Sequence, residues 1–180
     1  MAIRAAHLFV ITGGPGSGKS TLIDALERAG FARSIEAGRA IIQDQQVIDG
    51  PALHDPALFA ELMLSWELRS YRKAQDLAGP VFFDRGVPDV LGYLRLMNLP
   101  IPPHVEKAAA LFCYNRRVFI APPWVEIFTT DTERKQSFTE AVQTYETMVA
   151  TYETLGYDLV ELPRCSIAER VEFLRTKVHD

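Results

Sequence analysis

The chain has 180 residues, 48% hydrophobic and 23% charged, with a formal net charge of −4. That balance excludes a disordered or low-complexity chain, and it excludes a general nucleic-acid binder, whose phosphate contacts need a basic excess. No apolar run approaches the roughly 20 residues of a membrane span, and Cys113 and Cys165 lack the spacing of a disulfide or zinc framework. These features lead to the expectation of a cytoplasmic protein with one domain over residues 1–180, binding neither nucleic acid nor membrane.

The first predicted element is an apolar β-type run, Leu8 to Thr12. It leads into Gly13-Gly14-Pro15-Gly16-Ser17-Gly18-Lys19-Ser20, which fits G-x-x-x-x-G-K-[ST], and Thr21 to Leu26 continues as a helix. Strand, glycine loop and helix in that order are what a phosphate cradle needs. The glycines let backbone N–H groups turn toward phosphate oxygens, and the helix N-terminus adds partial positive charge. Lys19 reaches the β- and γ-phosphates and the Ser20 hydroxyl can ligate Mg²⁺. Gly13, Gly14, Pro15, Gly16, Ser17, Gly18, Lys19, Ser20 and Thr21 are therefore the expected ATP-binding residues. The same glycines make no dinucleotide fingerprint: G-x-G-x-x-G begun at Gly14 needs glycine at Lys19, and begun at Gly16 it needs glycine at Thr21.

The second run, Phe31 to Ile35, ends at Glu36, which places that carboxyl at the sheet edge where ligands bind in open α/β folds. A helix follows from Pro56 to about Ala78. It is apolar almost all round at first (Leu58, Phe59, Leu62, Met63, Leu64, Trp66), so the pattern predicts a buried, packed helix with Trp66 in the core. The third run, Val81 to Phe83, ends at Asp84, the position that holds Mg²⁺ directly or through water. The next residue is Arg85, where a motor-type ATPase needs a carboxylate. Gly86 comes one residue early for D-x-x-G, and neither Asn98 nor Asn115 is followed by lysine, so a GTPase is not supported.

A proline break from Leu99 to Pro103 separates two helices. Arg116 and Arg117 precede the fourth run, Val118 to Ile120. A second break, Ala121-Pro122-Pro123-Trp124, opens a lid-like segment, about 122–137, that carries Arg134 and Lys135. Phe138, Ala141, Val142, Tyr145, Met148, Val149, Tyr152 and Leu155 then share one helical face. The fifth run is Tyr157 to Leu162, and Ile167, Val171, Leu174 and Val178 close the chain at helical spacing. Five short strands alternating with helices predict an α/β fold: a five-stranded parallel sheet with helices on both faces and a small lid.

An Asp84-Arg85 pair ending a strand after a long helix resembles the nucleoside and nucleotide kinases of the P-loop superfamily. Further motifs add to the likeness: Glu36-Ala37-Gly38-Arg39, Phe83-Asp84-Arg85-Gly86-Val87-Pro88-Asp89, Val118 to Trp124, and Asp131-Thr132-Glu133-Arg134. Together they look like a bacterial family of ATPase or kinase domains, often labelled AAA-like, that is similar to the nicotinamide riboside kinase domain. The resemblance implies a three-layer P-loop NTPase fold and an ATP- and Mg²⁺-dependent kinase acting on a nucleoside-like or other hydroxyl acceptor. It makes Glu36 the candidate general base, Lys19 and Arg134 the charge-stabilising residues, with Arg134 as the lid arginine, and Ser20 and Asp84 the metal-binding pair. Arg39 and Arg85 are candidate substrate contacts, with structural ion pairs as the competing reading for both. A regulatory or hydrolytic P-loop ATPase, or a nucleoside monophosphate kinase, is the alternative. A protein partner or homo-oligomer is left open.

Overall fold

The computed structural model describes residues 3–128 and 136–179. In chain order the elements are β1 (Ile3–Arg4), β2 (Leu8–Gly13), α1 (Lys19–Arg28), β3 (Ala32–Arg33), α2 (Ala37–Val47), α3 (Pro56–Ala74), β4 (Val81–Asp84), α4 (Val87–Leu96), α5 (Pro103–Leu111), β5 (Phe112–Cys113), β6 (Arg117–Ala121), α6 (Phe138–Thr154), β7 (Asp158–Glu161) and α7 (Ile167–His179). Single 3-10 turns cover Pro51–Leu53 and Val125–Ile127. Residues 129–135, including Arg134 and Lys135 of the expected lid, lie outside the described residues.

Five strands pair in parallel in the order β3-β4-β2-β6-β7. All six residues of the central strand β2 are buried, and their alternation divides the core. Leu8 and Val10 join Val81, Phe83 and Val118 against Tyr71 of α3, Val90 and Leu94 of α4, Val105 of α5 and Tyr152 of α6. Phe9 and Ile11 join Phe82 and Phe119 against Leu22, Ile23 and Leu26 of α1 and Leu174 of α7. A strand buried on both faces reads as a continuous apolar run, and this is why β2 was legible. The result is the expected three-layer α/β arrangement with helices on both faces of a five-stranded parallel sheet.

From β2 the chain crosses to one side for β3 and β4, then to the other side for β6 and β7. The crevice over the C-terminal end of β2 is thus the switch point where open α/β sheets bind ligands. The glycine loop occupies it.

Two expectations are corrected. The second run contracts to Ala32–Arg33, an edge strand whose two residues are only half-buried. And α3 is not packed all round: its buried residues are Ala60, Leu64, Glu67, Tyr71 and Ala74, a single stripe at alternating spacings of four and three. Trp66 is half-buried, outside both core clusters, while Phe59 and Met63 face a cleft. A second, two-stranded parallel pair, β1 with β5, was not foreseen.

Candidate functional site

The phosphate loop is shaped by its own sequence. Gly18 caps α1 in the left-handed region (φ 79°), where a side chain would be strained. Gly14 is required for a different reason: a Cβ there would lie 2.2 Å from the Ala141 carbonyl oxygen of α6. Within the loop, the buried Ser17 hydroxyl donates to the Gly14 carbonyl (2.8 Å). The buried Lys19 ammonium donates to the same carbonyl (2.5 Å) and to Ser17 Oγ (3.2 Å). Ser20 and Thr21 stand exposed on the first turn of α1. The loop, Arg39, Ile127, Phe128 and Ile167 surround a cavity of about 380 Å³.

Beside it, the ends of β4 and α4 assemble a charged cluster. Glu36 sits at the N-cap of α2, 7% exposed. Arg85 Nε donates to Glu36 Oε1 (3.3 Å), and Arg85 Nη1 to Asp89 Oδ1 (3.2 Å). Arg39 Nε lies 3.9 Å from the other Glu36 oxygen. Arg85 holds this position with a left-handed backbone (φ 72°), a conformation that costs a non-glycine residue energy and concentrates at functional sites. Burial pulls its guanidinium down, but Glu36, Asp89 and Asp84 more than reverse this and raise it above its ordinary value.

Asp89 is the anchor of the cluster. Its Oδ1 also accepts from the Thr12 hydroxyl (2.5 Å), and its Oδ2 accepts from the Gly86 N–H (2.9 Å) and the Tyr152 hydroxyl (2.6 Å). The end of β2, the start of α4 and the last turn of α6 are therefore tied to one carboxylate. Burial, followed by the charge of Asp89, pushes the Tyr152 phenol well up.

A second cavity of about 600 Å³ lies next to the phosphate cavity, within the range of small-molecule sites. Its walls come from α2, α3, α4 and α6: Phe59, Met63, Glu67, Arg85, Asp89, Tyr93, Met97, Glu140, Thr144 and Met148 among them. Pro15, Glu36 and Gln136 border both cavities.

The structure thus brings together the glycine loop, Lys19, Ser20, Glu36, Arg39 and Arg85. Asp84 is buried at the end of β4, paired in register with Ile11, and forms no part of either cavity wall. Arg116 and Arg117 stand apart, at the opposite end of β6. Arg116 pairs with Asp158 (2.8 Å) and the Arg117 guanidinium donates to the Lys177 carbonyl. Trp124 lines neither cavity; its ring lies against the Arg170 guanidinium, 5.1 Å from centroid to Cζ. Sequence reasoning quotes Asp89 only as the end of the Phe83–Asp89 motif and gives it no role, and it passes over Glu67 and Arg170. For Asp89 a signal existed, since it stands three residues after Gly86, the N3 position from which a carboxylate accepts from the N-cap N–H.

Comparison with known proteins agrees with this architecture. Among curated proteins, none matches the chain by sequence. The NadR protein in complex with NR superposes with a TM-score of 0.73 at 18% identity, covering 97% of this chain and 50% of that one. NadR in complex with NAD and AMP-PNP gives 0.67 at 16% identity, again covering 50% of NadR, so the chain spans about half the length of that protein. Deoxyadenosine kinase from M. mycoides, with products dCMP and a flexible dCDP bound, gives 0.61 at 13% identity and is covered over 98% of its length. At these identities the likeness establishes a P-loop kinase-like fold. The sequence profile described as AAA domain matches residues 8–170. That match runs from the first residue of β2 into α7 and takes in the phosphate loop and the Glu36–Arg85–Asp89 cluster, so the chain belongs to the AAA domain family.

Proposed function

We propose that the chain is an ATP- and Mg²⁺-dependent kinase that transfers the γ-phosphoryl group to a hydroxyl of a nucleoside-class acceptor. The observation that carries this reading is the position of Glu36, which borders both the phosphate cavity and the larger cavity beside it. ATP in the first and an acceptor in the second would meet at that carboxylate. The acceptor oxygen forms a bond to the γ-phosphorus, the bond from that phosphorus to the β–γ bridging oxygen breaks, and Glu36 takes the hydroxyl proton. Arg85 and Arg39 hold Glu36 at the junction. Lys19 exchanges its loop acceptors for β- and γ-phosphate oxygens, and the N–H groups of the loop surround those phosphates.

Ser20 and Asp84 are the residues that would hold Mg²⁺. Both supply the hard oxygen donors this ion takes: Ser20 is exposed in the cradle and Asp84 sits at the end of the strand beside it. The ion would offset phosphate charge. The described lining of the acceptor cavity carries several carboxyl groups and one arginine, already engaged by Glu36 and Asp89. That charge balance supports a neutral acceptor over a nucleoside monophosphate.

The test is phosphoryl transfer from ATP to a panel of ribo- and deoxyribonucleosides. Glu36→Gln is expected to lower transfer roughly 100-fold or more while ATP still binds. Lys19→Ala is expected to weaken ATP binding about tenfold or more by calorimetry. Full turnover in Glu36→Gln, or equal ATP affinity in Lys19→Ala, overturns the assignment.

A further inference from the structure

Glu67 is the charged residue the buried stripe of α3 should not contain. It follows Ala60 and Leu64 and precedes Tyr71 and Ala74 on the face turned to the core, and it is 3% exposed. It makes no hydrogen bond or ion pair with any described residue. Its neighbour Asp89, by contrast, has both oxygens occupied. Glu67 instead forms part of the wall of the acceptor cavity. A carboxyl on the core face that no described protein group pairs needs a partner from the space it opens on.

The surroundings decide which form of the carboxyl faces the cavity. Asp84 of β4, Asp89 of α4 and Glu36 at the N-cap of α2 are acidic groups acting on it, and Arg85 acts in the opposite sense. Tyr114, before β6, is a neutral phenol in its field, and Glu140 of α6 adds a further carboxyl to the cavity wall. The one guanidinium is shared by Glu36 and Asp89. Burial first, then those carboxylates, push Glu67 well above the usual carboxylate range. A carboxyl in that state presents an O–H donor, as a buried protonated acid does in other polar sites. Around it the wall is suited to a flat apolar body. Phe59 and Tyr93 stand 5.4 Å apart between ring centroids, and Met63 and Met97 complete that side.

We propose that Glu67 determines acceptor specificity, donating a hydrogen bond to a carbonyl oxygen or an unprotonated ring nitrogen of a planar heterocycle seated against Phe59, Met63 and Tyr93. The inference rests on the kinase reading for the identity of the cavity as the acceptor site. It adds the chemistry by which the acceptor is chosen: a neutral ring bearing a hydrogen-bond acceptor is taken, and a ring offering only apolar edges is refused because Glu67 would stay unpaired.

The experiment measures binding of adenosine, guanosine, cytidine, uridine and their deoxy forms by calorimetry to the wild type, Glu67→Gln and Glu67→Leu. ATP binding and the melting curve report that each variant is folded. At least one nucleoside is expected to bind. Glu67→Gln keeps an N–H donor in nearly the same place and should hold affinity within about threefold, while Glu67→Leu should lose about tenfold or more. An infrared difference spectrum of wild type against Glu67→Gln should show a protonated-carboxyl C=O band near neutral pH that shifts when the nucleoside is added. This readout does not depend on the leucine variant. The proposal is overturned if Gln is as damaging as Leu, if neither variant changes affinity, if no nucleoside binds, or if the carboxyl band is absent. Nucleoside binding with the expected Gln–Leu difference but no phosphoryl transfer overturns the kinase reading and leaves the Glu67 assignment standing.

Discussion

Arg170 shows how one side chain can hold the glycine loop from behind. It lies entirely inside the protein, and burial pulls its guanidinium below its ordinary value. Among the described residues it pairs with no carboxylate. Instead Nε donates to the Pro163 carbonyl (2.8 Å), Nη1 donates to the Ser17 carbonyl of the phosphate loop (3.2 Å), and Cζ lies over the Trp124 ring. A Cβ on Gly18 would sit 3.3 Å from Nη1, so the loop and the guanidinium are packed together. Arg170→Ala leaves two carbonyls without their donor and opens space beside an indole. It is expected to cost about 3 kcal/mol in urea unfolding. Arg170→Lys should recover only part of this, because a single ammonium cannot sit over the ring and reach both carbonyls as the wider guanidinium does. An alanine variant as stable as the wild type would show that these contacts contribute nothing.

At the scale of elements, two helices on opposite sides of the sheet begin with the same device. Ser137 Oγ accepts from the Glu140 N–H (3.2 Å), and Glu140 accepts in return from the Ser137 N–H (2.6 Å) at the start of α6. Ser166 and Glu169 repeat the pattern before α7. Ser137→Ala is expected to destabilise the protein by about 1 kcal/mol. Backbone and hydroxyl donation from Ser137 hold the Glu140 carboxyl below its ordinary value. The contribution of that carboxylate is therefore present above the usual carboxylate range and is lost as pH falls through the lowered folded value. Thermal unfolding of wild type and Glu140→Gln should converge on acidification; curves that stay parallel would refute it. The S-x-x-E spacing of both boxes stands in the sequence, as do β2, the phosphate loop and α1, because each is a contiguous run under strict local constraints. Glu67 is legible in principle as a charge on the apolar face of α3, just past the stretch from Leu58 to Trp66 that reads as apolar almost all round. The strands β1, β5 and β3 are each two residues long, too short to leave a periodic signal. The Arg170–Ser17 contact joins residues 153 apart, and no local pattern encodes it.

Taken as a whole molecule, the protein carries four of its acidic residues where folding must work against them. Glu36, Glu67, Asp84 and Asp89 are all buried around the crevice, with Arg85 among them. Pairing with Arg85 satisfies Glu36 and Asp89, so the cluster tolerates a further carboxyl at Glu67 in its protonated form. In the unfolded chain Glu67 ionises near pH 4.3 or so; in the folded chain burial and then the neighbouring carboxylates hold its proton to well above that. Across the window between those two values the folded state binds one proton more than the unfolded state. Stability therefore falls as pH rises, by up to about 1.4 kcal/mol per unit from this group alone. Glu67→Gln removes this dependence and leaves the other ionisable side chains in place. The stability of Glu67→Gln relative to wild type should accordingly grow as pH rises above the ordinary carboxylate range, read by urea unfolding at each pH. A constant difference over that rise would mean that Glu67 is already ionised in the folded protein.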